Sequence, residues 1–171
     1  MIESFQKIKL VMMDMDGVLT NGKLLIYPDG NWIREMDIKD GYAIQHAVKT
    51  GLKLAVVSGS SSSPVKDRLS RLGVDLFFEN VSSKSEKVRE IQLSLDIEPD
   101  ESMFIGDDLP DLSAFSACGL KACPADAVAE VKSSADYISP HKGGNGCVRD
   151  ILEKIMRVQG RWIIEHQISS I

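Results

Sequence analysis

The chain has 171 residues, a formal net charge of −5 and 43% hydrophobic residues, enough for one compact domain with a packed core and too little for a second catalytic domain. The acidic balance excludes a broad basic face for a nucleic-acid backbone, and no run approaches the roughly 20 apolar residues of a membrane helix or reads as a signal peptide. Cys118, Cys123 and Cys147 form no C-x-x-C pair, which disfavours a disulfide framework or a zinc site and fits a cytoplasmic protein without nucleic-acid or membrane partners.

Short apolar, β-branched-rich runs alternate with helix-length segments, the rhythm of βαβ units around a parallel sheet. The first strand, Ile8 to Met13, delivers Asp14 and Asp16 into a glycine turn, Asp14-Met15-Asp16-Gly17-Val18-Leu19-Thr20. Paired carboxylates at a buried strand tip repel each other and resist desolvation, so they point to a bound cation or a catalytic duty. A bare D-x-D-G is otherwise an ordinary Asp-rich turn. Next comes a break in the alternation over about residues 22–37: Lys23-Leu24-Leu25-Ile26-Tyr27, a Pro28-Asp29-Gly30-Asn31 turn, then Trp32-Ile33-Arg34-Glu35-Met36. This predicts a β-hairpin flap whose Tyr27, Trp32 and Ile33 need cover, expected from another subunit.

A helix over Tyr42 to Lys49 precedes the second strand, Leu52 to Val57, which ends in Ser58-Gly59-Ser60-Ser61. A helix over Pro64 to Leu72 leads to a strand over Leu76 to Phe78. Ser83 and Glu86 then read as a capping box opening a helix over Ser85 to Leu95, with Lys84 at its start. The strand over Ser102 to Ile105 ends in Gly106-Asp107-Asp108-Leu109-Pro110-Asp111, with a helix over Leu109 to Ala117. Short strands near Leu120 and Tyr137 and helices over Ala127 to Ser133 and Val148 to Val158 complete one domain over residues 1–160. Residues 161–171 form a tail.

In a parallel sheet, ligand sites lie beyond the carboxyl ends of the strands. Here those ends carry an acidic pair, a hydroxyl, an ammonium and a second acidic cluster. This is a kit for phosphoryl transfer, whose transition state needs alignment and charge neutralisation. Mg²⁺ takes hard oxygen ligands, which Asp14 and Asp107 would supply. Asp14 is the expected nucleophile and Asp16 the acid and base. Lys84, preferred over Lys87 because it sits at the helix start, would hold nucleophile and phosphoryl oxygens. Ser58 would bond a nonbridging oxygen, whereas Ser60 to Ser63 read as turn and N-cap residues.

All four groups, in this order, resemble the motifs of the haloacid dehalogenase superfamily. The resemblance narrows to a cap-less branch acting on phosphorylated 2-keto-3-deoxy sugar acids. That narrowing rests on the hairpin, Ile38-Lys39-Asp40-Gly41-Tyr42, Asp67-Arg68-Leu69, Leu72-Gly73, and Gly143-Gly144-Asn145-Gly146-Cys147-Val148-Arg149-Asp150. It implies a Rossmann-like fold with no separate cap domain, an aspartyl-phosphate intermediate, and Mg²⁺ held by Asp14, Asp107 and the backbone carbonyl of Asp16. It also implies 3-deoxy-D-manno-octulosonate 8-phosphate as substrate, a place in lipopolysaccharide biosynthesis, and a homotetramer in which a neighbouring subunit completes each active site. Thr20, Gly59, Arg68, Asp108, Asp111, Gly143 and Gly144 would line the substrate side.

Several of these positions have a second reading. One of Asp108 and Asp111 would touch metal through water while the other caps the next helix. Thr20 is equally a hairpin-turn residue, and Asp40 either meets sugar hydroxyls or caps the helix that follows it. Glycine clusters are more often turns than phosphate loops, so the role of Gly143 and Gly144 rests on the resemblance alone. The octulosonate enzymes carry arginine where this chain has Ser60 and Asn145. A nine-carbon sugar acid 9-phosphate, or another small phosphate, therefore competes as substrate. A non-catalytic oligomerisation module is the alternative from another class.

Overall fold

The structure, a computed structural model, describes residues 2–162. Of the tail expected over residues 161–171, Arg161 and Trp162 are fastened to the domain, the Arg161 carbonyl 3.1 Å from His46 Nε2 and Trp162 packed against the core, and residues 163–171 lie outside the described residues. Eight strands and seven α-helices follow in chain order: α1 (Ile2–Lys7), β1 (Leu10–Met13), β2 (Leu25–Ile26), β3 (Trp32–Ile33), α2 (Ile38–Lys49), β4 (Lys53–Val57), α3 (Ser63–Arg71), β5 (Leu76–Phe78), α4 (Lys84–Leu95), β6 (Ser102–Ile105), α5 (Leu112–Phe115), β7 (Leu120–Cys123), α6 (Ala129–Ser134), β8 (Tyr137–Ile138) and α7 (Cys147–Val158). The main sheet is six-stranded and parallel, in the order β5-β4-β1-β6-β7-β8, and no separate cap domain interrupts it among the described residues.

The central position of β1 follows from its sequence. Leu-Val-Met-Met is apolar on both faces, as a strand covered by helices on both sides must be, and all four residues are buried. Val11 and Met13 face one core layer, with α2 and α7; Leu10 and Met12 face the other, with α4. The alternation is the two-residue period of an extended chain. Met13 pairs with Val56 of β4 and Ile105 of β6. That register ends three neighbouring strands at one level and gathers Asp14, Ser58 and Asp107 at one edge. No helix is long and apolar enough to cross a membrane among the described residues.

Three local expectations need correction, and one element, α1, has no counterpart among them. The first helix, α1, buries Phe5 alone and has too short an apolar pattern to read from periodicity. Helix α2 starts four residues before the expected Tyr42, because the Asp37 side chain accepts from Lys39 N at 2.6 Å and caps it. Ser83 makes no side-chain capping bond, so the capping box before α4 does not form. Finally, the expected helix over Leu109 to Ala117 is a 3₁₀ turn, Leu109–Asp111, followed by the short α5.

Asp40 takes neither of its two expected roles. Its buried carboxylate accepts from Arg149 N at 2.6 Å and Gly146 N at 3.2 Å, capping α7 rather than its own helix and tying α2 to α7. Burial pushes its pKa up to about 6, against the pull of those two amides. Removing the side chain leaves two donors unpaired at a buried helix start. Asp40→Ala is expected to cost about 1–3 kcal/mol of unfolding free energy, read by denaturant titration. A midpoint equal to the parent's would assign the α2–α7 junction to apolar packing alone.

The hairpin is present, with β2 and β3 antiparallel, but its side chains are uncovered: Leu25, Ile26 and Trp32 are 58%, 64% and 58% exposed. Its return limb is fastened at the base. Thr20 and Met36 form an antiparallel bridge, and Asn21 Nδ2 donates to Glu35 Oε2 at 2.8 Å.

Candidate active site

The chain leaves β1 through a tight kinked turn, with Asp16 extended and Gly17 at φ +86°. Gly17 is required twice: its backbone is in the left-handed region, and a Cβ there would overlap the Asp107 carboxylate. The first acidic loop is thereby pressed against the second. Lys84, at the start of α4, reaches across the strand ends, with Nζ 3.0 Å from Asp14 Oδ1 and 2.6 Å from Asp111 Oδ1. Lys87 instead pairs with Glu90 at 2.5 Å and lies over Phe78, so Lys84 is the lysine of the site.

Ligand oxygens of Asp14, Asp107 and Asp111 lie within 4.8 Å of one another. Three carboxylates around one ammonium leave an excess of negative charge in a half-buried cleft. Burial, then the Asp111 charge, pushes the Asp14 pKa up to about 6 despite Lys84. Burial, then the charges of Asp111, Asp14 and Asp108, pushes Asp107 up to about 8. Lys84 is held above the usual lysine range: burial lowers it, but Asp111 and Asp14 outweigh that.

The oxygens are not equally available. Asp111 Oδ1 takes Lys84, and its Oδ2 accepts from the amides of Asp107 at 2.8 Å and Asp108 at 3.2 Å. That carboxylate is fully engaged in holding the loop and the lysine. By contrast, among the described residues Asp107 Oδ1 is buried with no hydrogen-bond partner, and Asp14 Oδ1 has its ion pair with Lys84 but accepts no well-directed hydrogen bond. A buried Asp107 oxygen without a hydrogen bond, within reach of the Asp14 carboxylate at the strand ends, fits a hard divalent cation.

Asp16 stands apart from this cluster. Its carboxylate accepts from Arg34 Nε at 2.7 Å and Nη2 at 3.1 Å, from Ser60 Oγ at 2.8 Å and from Thr20 Oγ1 at 3.2 Å. Burial alone would raise its pKa, but the bonds from Arg34, Ser60 and Thr20 outweigh it and hold the group below the usual carboxylate range. Ser58 is buried beside it, its Oγ accepting from Ser60 N at 3.1 Å.

The structure gives several expected substrate residues other duties. Thr20 is fully buried and braces Asp16, while Asp108 is exposed and accepts from Leu109 N at 2.8 Å as a cap. Gly143 N donates to Asp126 Oδ1 at 3.0 Å and Gly144 N to Val18 O at 3.0 Å, so neither amide is left to cradle a phosphate. A Cβ on either glycine would overlap the backbone of the first acidic loop; close approach is their function. Asn145 Nδ2 bonds Gly143 O at 2.8 Å, within its own loop. Gly59 is exposed at the end of β4, and Arg68 lines a cleft between the hairpin and α3 with Trp32, Arg34 and Pro64.

Two residues that bond the Asp16 carboxylate, Ser60 and Arg34, lie outside the expected set. In the sequence Ser60 reads as a turn residue and Arg34 as part of the hairpin's return limb. A signal for Arg34 exists in the pattern: it is the one basic residue in the return limb, Trp32 to Met36, of a hairpin that follows an acidic pair.

The family model for haloacid dehalogenase-like hydrolases matches residues 77–151. A 3-deoxy-D-manno-octulosonate 8-phosphate phosphatase, KdsC, from Haemophilus influenzae is 33% identical over 161 residues, covering 94% of this chain and 89% of that protein. The chain belongs to the haloacid dehalogenase-like hydrolases. Its similarity falls on the phosphatases of that family. The octulosonate phosphatase from Moraxella catarrhalis, solved in complex with magnesium, phosphate and KDO, superposes with a TM-score of 0.91 at 30% identity, covering 94% of this chain and 92% of that one. A cobalt-bound form of the Haemophilus enzyme superposes at 0.87 and 33% identity, covering 92% of each chain.

Proposed function

We propose that this phosphatase hydrolyses the terminal phosphomonoester of a 2-keto-3-deoxy sugar acid, with 3-deoxy-D-manno-octulosonate 8-phosphate as its first candidate. The carrying observation is the cluster at the strand ends: Asp107 with an oxygen that has no hydrogen-bond partner among the described residues, Lys84 between Asp14 and Asp111, and Asp16 alongside. Asp16, ionised in the free protein, takes up a proton from solvent once the anionic phosphate stands beside it; Asp14 then attacks phosphorus, and the bond from phosphorus to the sugar oxygen breaks as Asp16 gives that oxygen the proton. Asp16 then takes a proton from water as the water oxygen attacks the aspartyl phosphate. The bond to Asp14 breaks, releasing inorganic phosphate and restoring both carboxylates. Lys84 keeps the nucleophile in place, and Ser58 lies where it can donate to a nonbridging oxygen. Mg²⁺ would be held by Asp14 and Asp107, with the Asp16 carbonyl as the family resemblance implies, and when bound it neutralises charge on the phosphoryl oxygens.

A second substrate reading, a nine-carbon sugar acid 9-phosphate or another small phosphate, is favoured by Ser60 and Asn145. Ser60 bonds Asp16 and Asn145 bonds its own loop, so neither stands in for an arginine that would read a carboxylate. The uncovered hairpin supports a homotetramer in which a neighbour completes the site, in a cytoplasmic enzyme built as one catalytic unit over residues 1–160. A phosphate-release panel of eight- and nine-carbon sugar acid phosphates and common hexose phosphates, run with Mg²⁺, tests the assignment. The expected result is highest kcat/KM for the eight-carbon acid. A higher value for the nine-carbon acid moves the substrate, and no release from any member returns the chain to a non-catalytic oligomerisation module.

A further inference from the structure

The Asp16 carboxylate is held by side chains from three segments. Thr20 and Ser60 belong to the loops that build the site, but Arg34 does not. It follows β3 in the hairpin, and its side chain is only 7% exposed, although Trp32 and Ile33 just before it are 58% and 45% exposed. The guanidinium meets both carboxylate oxygens, Nε to Oδ1 at 2.7 Å and Nη2 to Oδ2 at 3.1 Å. Such a fork fixes the plane of a carboxylate as well as its charge, which an ammonium cannot do.

The return limb that carries Arg34 is itself tied to the acid loop. The Thr20–Met36 bridge and the Asn21–Glu35 bond flank Arg34 in sequence, whereas the rest of the hairpin projects with exposed apolar side chains. The limb and the acid loop therefore form one unit, and a shift in how the hairpin sits is carried to the guanidinium and from there to Asp16. Asp16 has to present one oxygen to the leaving group and then to water, so its orientation bears on both halves of the reaction.

Resting on the phosphatase reading above, we infer that Arg34 is a positioning residue of the hydrolysis, through which the seating of the hairpin sets the orientation of the Asp16 carboxylate. Ser60 and Thr20 complete the hold, each on one oxygen. An arginine on the hairpin thus does for the acid–base group what Lys84 does for the nucleophile.

The test is a double-mutant cycle on the intact protein with Mg²⁺, measuring phosphate release from the best substrate of the panel. Arg34→Gln is expected to lower kcat about a hundredfold, the scale for losing one preorganised donor, with a much smaller change in KM. In an Asp16→Asn background the same change is expected to cost less than about threefold, because the group it acts through is gone. Guanidinium added to Arg34→Ala is expected to restore part of the rate, while methylammonium does not. Equal fold losses in the two backgrounds, an unchanged kcat in Arg34→Gln, or a KM effect alone would overturn the inference. If Arg34→Gln does not fold by circular dichroism, Arg34→Lys replaces it in the cycle, read in the same way. An unmodified protein that releases no phosphate removes the phosphatase reading and this inference with it; additive losses in an active enzyme remove this inference alone.

Discussion

Asp14→Asn is expected to abolish phosphate release while leaving the fold intact. Asn preserves the shape of the side chain and its place at the tip of β1, where the Asp14 amide donates to Ile105 O at 3.0 Å. It removes the anionic oxygen that would bond to phosphorus, and a neutral amide oxygen does not form an acyl phosphate. Deleting a covalent nucleophile typically costs about 10⁴–10⁶-fold in kcat, and a fall of at least about 10⁴ is expected here. The stability readout goes the other way from a normal buried substitution. Burial and the Asp111 charge already push the Asp14 pKa up to about 6, so the folded protein resists ionising this group. A neutral residue relieves that repulsion, and in EDTA the variant should melt no lower than the parent. Turnover within about tenfold of the parent would remove Asp14 as nucleophile. A large loss of both activity and melting temperature would point to a structural role instead.

The edge that carries the candidate site was legible because the parallel sheet does the gathering: once short apolar runs are read as strands, whatever follows them shares one edge. Asp14, Ser58, Lys84 and Asp107 needed no long-range information beyond that. What could not be read are the contacts made by side chains whose partners lie far along the chain or across a turn of unknown direction. Asp40 capping α7 joins residues 106 and 109 positions apart, and local propensity sees only the helix that Asp40 itself starts. Gly143 and Gly144 look like an anion loop in sequence; they are small because another backbone occupies the space a side chain would need. Asp111 and Asp108 were indistinguishable as letters, and only burial separates the one that holds Lys84 from the one that caps a 3₁₀ turn. Arg34 was hidden by the alternation of its hairpin, since a strand of two residues does not decide which way the next side chain points.

Mg²⁺ is expected to stabilise the protein more as pH rises, and its removal by EDTA to abolish turnover. Asp14 and Asp107 have pKa values raised from an ordinary 3.8 to about 6 and about 8. A carboxyl whose folded pKa is raised adds no penalty below its unfolded value, where both states are protonated. As pH climbs, the unfolded chain releases the proton first. Relative stability then falls until the folded pKa is passed, so the metal-free protein loses stability from about pH 4 up to about pH 8 through these two groups. Lys84, raised above its usual range, stays charged throughout and does not offset the loss. Asp16 is held low, so its contribution is lost only on the acid side and leaves this window undisturbed. A divalent cation binds the ionised carboxylates and must displace any remaining protons, so its affinity rises over the same range. Its stabilisation follows the ratio of free ion to dissociation constant. Melting curves on either side of pH 6 and pH 8, with EDTA and with saturating MgCl₂, should therefore show a widening gap. A gap that narrows with pH, or is absent in the parent yet present in Asp107→Asn, would place the cation elsewhere than between these two carboxylates.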